Sequence, residues 1–217
     1  MSNHVVKQGE HLPRIAEQYG FLSHTILWDH PDNAALKQKR QVPELLLPGD
    51  EVVIPDKVRE TLSAATGMEH RFVLQTDHLE LRLRLRDLGQ EPVAGAACTL
   101  AAGGEEKQLM TNGEGGVNRS IARSESQAVL TLGDEKFDIV IGELDPITEP
   151  TGWQARLVNL GYLEAPVRVI DGGHELSDED RREIRAAVEE FQCDNHVPLT
   201  GEMDDATRAK LLEVHGC

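Results

Sequence analysis

The sequence has 217 residues, with 38 Asp and Glu against 22 Lys and Arg and a formal net charge of −16. That length accommodates one to three small domains. Acids outnumber bases in each of the segments 1–56, 57–150 and 151–217, so no part offers a phosphate-neutralising face; nucleic acid and membrane are not expected partners. No apolar run approaches the roughly 18 residues of a membrane helix. The N-terminus has no basic segment leading into an apolar core, so synthesis in the cytoplasm without a secretory signal is expected. Cys98, Cys193 and Cys217 are an odd number at wide spacing, which builds no disulfide framework and fits a reducing compartment. Cys193 and His196 have the spacing of half a zinc site without a second half, and no metal or cofactor is expected.

Val5 and Val6 read as a short strand. Gly9-Glu10 turns the chain, and Leu12, Ile15, Ala16 and Tyr19 then recur at helical spacing up to a stop at Gly20. Pro13 falls in the first turn of that helix, where it is tolerated. A second helix is predicted from Ser23 to His30, burying Ile26 and Leu27. Pro31 to Pro43 is expected as a long loop holding Lys37, Lys39 and Arg40. Leu45-Leu46-Leu47 leads into a Pro48-Gly49 turn, and Val52-Val53-Ile54 closes as a strand. The predicted order is βααβ.

In the middle, Leu79, Leu81, Leu83 and Leu85 alternate with Glu80, Arg82, Arg84 and Arg86, the pattern of a half-buried strand. A turn follows over Asp87-Leu88-Gly89-Gln90-Glu91-Pro92, then a second strand over Val93 to Leu100 and another turn at Gly103-Gly104. Thr111 to Gly116 breaks the chain again, and 129–132 and 137–140 give further short strands. Several strands at close spacing with Gly turns predict a small β-sandwich. The Arg stripe reads as the solvated side of a strand, and Cys98 as a small packed apolar group.

Toward the C-terminus, Thr151 is expected to cap a helix carrying Trp153, Leu157 and Leu160, ended by Gly161. Ser177-Asp178-Glu179-Asp180 forms a capping-box-like start for a helix with Ile184, Val188 and Phe191 on one face. Asp204 can cap a third helix over Ala206 to Leu212, with Leu211 on its apolar face. Three short helices with Gly turns predict a packed bundle, with Phe191 in its core rather than at its surface.

Two of these segments carry family patterns. Gly9-Glu10-His11, the helix with Leu12, Ile15 and Ala16, and the ending Leu47-Pro48-Gly49 through Ile54-Pro55 resemble the LysM domain. That resemblance implies binding of N-acetylglucosamine-containing glycans through Gly9, Glu10, His11, Leu12, Asn33, Leu46 and Leu47. His11 stands where the family usually has Thr, and the loop from Pro31 is longer than usual. Leu157-Val158-Asn159-Leu160-Gly161-Tyr162, Ala187-Val188-Glu189-Glu190-Phe191-Gln192 and Gly201 through Thr207 resemble the three-helix peptidoglycan-binding domain often appended to wall hydrolases. Its stretch from Arg168 to Asp178 is longer and more acidic than the usual link. Leu83 to Asp87, Pro92 to Ala96 and Thr111 to Gly115 resemble the immunoglobulin-like or carboxypeptidase-regulatory-like modules found beside contractile secretion spikes. Gly67 to Phe72 and Leu144 to Ile147 are similar to segments of LysM proteins linked to those systems.

The expected architecture is therefore α+β and multidomain: 1–56 LysM-like, 57–74 a linker, 75–145 an Ig-like β-sandwich, and 146–217 a peptidoglycan-binding-like helical domain. No metalloprotease, esterase or nucleotide-binding motif is present. Adjacent Glu105 and Glu106 on a strand point to opposite faces and cannot serve as a glycosidase pair. No catalytic residues are assigned, and the chain is not expected to be an enzyme. The function expected from the resemblances is non-catalytic peptidoglycan binding by an accessory of a type VI secretion or related contractile injection apparatus in bacteria. Its partners would be peptidoglycan glycan chains and spike or tube proteins, and it would reach the periplasm or the exterior through that apparatus. The alternative is a docking adaptor or structural spike or tail component whose modules bind protein rather than glycan.

Overall fold

A computed structural model describes residues 1–58, 61, 63–71, 73, 77–87, 89–166 and 176–216. Parts of the expected linker (59, 60, 62, 72 and 74), Leu88 of the predicted turn, most of the acidic stretch (168–175) and Cys217 lie outside them. The chain forms two compact units, Met1–Glu143 and Leu144–Cys217. Helices and sheets are both present, and the second unit is helical.

The first unit begins with β1 (Ser2–Val5), paired antiparallel with β2 (Glu51–Ile54). Between them lie α1 (Leu12–Gln18), α2 (Thr25–Trp28), a 3-10 turn (Pro31–Asn33) and α3 (Ala34–Arg40). Leu12, Ile15 and Ala16 on α1 pack with Leu27, Trp28, Leu36, Leu46, Val52 and Ile54 into one core. Two expectations fail here. The stretch from Pro31 to Pro43 is not a loop throughout, because Ala34-Ala35-Leu36-Lys37-Gln38-Lys39-Arg40 consists of strong helix formers. Its basic last turn also suits the helix C-terminal dipole. Ile26 is exposed rather than buried, because α2 is only one turn long and presents Leu27 and Trp28 inward.

Arg40 explains why α3 ends where it does. It is buried, and its Nε and Nη2 donate to the Asp50 carboxylate at 2.5 and 2.9 Å. Lys39 Nζ and the Leu47 N–H also donate to that carboxylate, at 3.1 and 2.9 Å. Burial pushes the Asp50 carboxyl up. The Arg40, Leu47 and Lys39 hydrogen bonds outweigh that effect and hold it below the usual carboxylate value.

The same unit continues into six strands: β3 (Leu79–Arg84), β4 (Ala97–Ala102), β5 (Glu105–Met110), β6 (Gly116–Ile121), β7 (Gln127–Leu132) and β8 (Glu135–Val140). They form a two-stranded sheet, β3-β6, and a four-stranded sheet, β5-β4-β7-β8, all antiparallel. Cys98, Leu100, Ala128 and Leu130 from one sheet share a core with Val117, Ile121 and the leucines of β3 from the other. The leucines of β3 alternate inward against exposed Glu80, Arg82 and Arg84, as the period of two predicts. The second strand starts at Ala97 rather than Val93, since Gly95 at φ 66° turns the chain and its N–H donates to Thr111 O. β5 and β6 have no clean apolar alternation. β5 is charged along most of its length, and β6 turns Arg119 inward, where Nη1 donates to the carbonyl oxygens of Leu100 and Glu105.

The second unit holds α4 (Pro150–Asn159), α5 (Asp178–Asp194) and α6 (Asp205–His215). Leu157, Leu163, Ala187, Val188, Phe191 and Leu211 form its core. Ser177 and Asp180 make the reciprocal capping box at α5, and Asp204 caps α6 by accepting from the Thr207 N–H at 2.8 Å. Thr151 is not the cap of α4. Pro150 already occupies the first helical position after Glu149, and the Thr151 hydroxyl donates to Asp145 at 2.5 Å instead.

Candidate functional site

The residues proposed for ligand contact in the first unit fall into three situations. Gly9 and Glu10 are half-buried in the turn before α1, and Gly9 takes φ 79°. Glu10 is tied down: its Oε2 accepts from His4 Nε2 at 2.8 Å and from the Lys7 N–H at 2.9 Å. His4 Nδ1 sits 3.2 Å from the Tyr19 hydroxyl, and the two rings meet edge to face. Burial raises the Glu10 carboxyl, but the Lys7 N–H and His4 lower it further, so it stays below the usual value.

His11 and Leu12 are buried. His11 is the N-cap of α1, where its Nδ1 accepts from the Arg14 N–H at 3.3 Å. Burial first, then the nearby Arg14 and His24, pull its imidazole down to about 4. Asn33 and Leu46 are buried too, and Leu47 is half-buried with its N–H on Asp50. Asn33 clamps β2 to the end of α2. Its Nδ2 donates to Leu27 O and Val53 O at 2.8 Å each, and its Oδ1 accepts from the Val53 N–H at 2.7 Å. The Leu12 N–H donates to Pro43 O, which brings the first turn to the segment before Leu46. Gly9 to Leu12 and that segment are thus neighbours, while Asn33 spends its amide on the backbone.

The four-stranded sheet carries an open cleft of about 570 Å³, lined by Ala97, Thr99, Gln108, Met110 and Thr131 with Cys98 and Leu109 beneath. Burial pushes the Cys98 thiol up, which removes thiolate character.

In the second unit, the loop between α5 and α6 is organised by one buried amide. Gln192 Oε1 accepts from the N–H groups of Thr200 and Gly201 at 2.9 Å each. Its Nε2 shares its two hydrogens among Thr200 Oγ1, Glu202 O and Thr207 Oγ1, at 2.8 to 3.1 Å. Arg156 is wholly buried, and its Nη1 donates to Asp145 O and Gly152 O. Gly152 has no room for a side chain, since a Cβ there would collide with the carbonyl oxygens of Asp145 and Pro146.

At the surface of this unit, half-buried Tyr162 packs edge-on against Phe191 with ring centroids 5.4 Å apart. Its hydroxyl donates to Asp194 Oδ2 at 3.2 Å and accepts from Asn195 Nδ2 at 3.5 Å. Burial and the Asp194 carboxylate push the phenol up to about 12, so it remains a neutral hydroxyl throughout the physiological range. An aromatic face rimmed by an amide and a carboxylate can stack against a sugar ring and hydrogen-bond its hydroxyls. The sequence contained these residues within its helix and turn motifs but gave no sign that α5 would bring Asp194 and Asn195 beside Tyr162.

No curated protein and no solved structure matches the chain. Residues 153–211 match the family model described as a putative peptidoglycan binding domain, a stretch that takes in most of α4, all of α5, most of α6 and the Tyr162–Asp194–Asn195 group. The helical unit is thus similar to a putative peptidoglycan binding domain over the stretch that holds its three sequence motifs.

Proposed function

We propose that this chain is a non-catalytic peptidoglycan-binding protein whose wall contact is made by the second unit, with Tyr162, Asp194 and Asn195 at the contact surface. The single observation that supports this is the match of residues 153–211 to the putative peptidoglycan binding domain. In this proposal the first unit is a LysM-like module followed by an Ig-like sandwich, and it serves as an accessory of a type VI secretion or related contractile injection apparatus. The chain is made in the cytoplasm and meets the wall when that apparatus delivers it. Support for this setting is the sequence resemblance alone.

The test is co-sedimentation of the intact chain with purified peptidoglycan sacculi, alongside Tyr162→Ala. A muropeptide-release assay on the same mixtures checks the non-catalytic part, and released fragments would contradict it.

A second role for the first unit, docking protein rather than glycan, draws support from the fate of its candidate residues. Leu12, Asn33 and Leu46 serve the interior and the backbone. Co-purification with spike or tube proteins is expected under this role. Recovery of the chain without them from cells that assemble the apparatus would rule it out.

A further inference from the structure

The turn before α1 is covered by another part of its own unit. Beyond β8 the chain reaches Gly142 at φ 89°. A Cβ built on Gly142 would stand 2.9 Å from the Gly9 carbonyl oxygen and 3.0 Å from Cδ2 of His11, too close for any side chain. Only glycine allows the backbone this approach at this dihedral angle. The Glu143 side chain also lies against the turn, its Cγ 3.8 Å from where a Gly9 Cβ would be.

The covered imidazole is not at rest. Its Nδ1 accepts from the Arg14 N–H, which places the proton on Nε2. That Nε2 is buried with no hydrogen-bond partner among the described residues. A buried donor without an acceptor disfavours the closed state, and water or a ligand oxygen would relieve it. The sandwich keeps its hold on the module elsewhere. Arg123 Nη1 donates to Phe21 O and Leu22 O at 3.2 Å each, and the Asp77 carboxylate accepts from the His24 N–H at 3.1 Å.

We propose that the Gly142–Glu143 segment is an intramolecular cover over the Gly9–His11 turn, and that this turn takes a hydroxyl- and acetamide-bearing glycan only when the segment withdraws. The ligand class rests on the wall-binding proposal, whereas the cover rests on the geometry alone. The native chain then meets the wall through its second unit only. Release of the cover adds a second, linked contact and the avidity that comes with it.

The experiment uses the full-length protein, full-length Gly142→Leu, and full-length Arg123→Met, which loosens the sandwich from the module without touching the turn. Two quantities are read: the rate at which diethyl pyrocarbonate modifies His11 relative to exposed His78 and His196, and the movement of the Gly9 and His11 amide resonances with N-acetylglucosamine hexamer. In the native chain His11 should react about tenfold more slowly than His78, and its amide should stay still. In a variant that keeps the native circular dichroism spectrum, the rate should rise about tenfold and the amides should move with the hexamer. Native His11 reacting as fast as His78, or native amides moving with the hexamer, overturns the cover. A variant with reactive His11 whose amides stay still overturns the glycan part. Failure of the wall-binding proposal looks different: the native chain leaves sacculi unbound while His11 remains protected.

Discussion

His11 holds three roles at once: helix cap, buried ring and partner of Gly142. Its imidazole is pulled down to about 4 by burial, so the folded protein binds fewer protons than the unfolded chain between that value and the ordinary 6.5. Stability from this residue is fully present above pH 6.5 and is lost as pH falls toward 4, by about 3 kcal/mol in all. His11→Asn keeps a side chain able to cap the Arg14 N–H but cannot titrate. Its denaturant midpoint should fall less between pH 6.5 and 4.5 than the native protein's. Equal slopes for the two proteins would assign the acid sensitivity to another group. In the second unit, Gln192→Leu takes the buried acceptor away from the Thr200 and Gly201 N–H groups and leaves the Thr207 hydroxyl facing an apolar side chain. It should cost about 2–4 kcal/mol in urea unfolding of that unit. A loss below the noise would mean that water replaces the amide and that the loop does not depend on it.

At the scale of elements, the helices were legible where their signals were local. The capping box at Ser177, the cap at Asp204 and the face carrying Ile184, Val188 and Phe191 all depend on spacing within a few residues, and all appear in the structure. Elements defined by distant partners were not legible. α3 looked like a loop because its only long apolar residue is Leu36, and its anchor is a salt bridge from Arg40 to Asp50 across the β2 turn. β5 and β6 lacked apolar alternation because one is an edge strand and the other turns an arginine inward. Asn33 was singled out as a ligand contact, and the structure has its amide on the backbone of residues 27 and 53, a pairing that cannot be read from the sequence around it. The Arg40–Asp50 pair gives the clearest test at this scale. Arg40→Ala leaves a buried carboxylate with much of its compensation gone and should destabilise the first unit by about 3–5 kcal/mol. Asp50 is held below its usual value, so its contribution is present above the ordinary carboxylate range and fades as pH drops through it. The native and Arg40→Ala stabilities should therefore converge as pH falls below the ordinary carboxylate range. A gap that stays constant with pH would show that Arg40 matters through packing alone.

At the scale of the whole molecule, the first unit joins the N-terminal module and the sandwich through Arg123, Asp77 and Gly142, and the second unit stands as a separate compact body. The proposed contact surface and the recognisable family pattern both lie in the second unit, where residues 153–211 match the putative peptidoglycan binding domain. The first unit offers its candidate residues mainly to its own fold. The proposed division of labour is wall contact by the helical unit and attachment to the delivery apparatus by the other. The most direct measurement is co-sedimentation of the intact chain with purified sacculi at low salt, beside Tyr162→Ala at matched folding. The native chain should pellet with the sacculi, and Tyr162→Ala should lose about tenfold in affinity, as loss of a central aromatic contact does. A native chain that remains in the supernatant with both units folded would contradict wall binding. An unchanged Tyr162→Ala would move the contact away from the Tyr162–Asp194–Asn195 face.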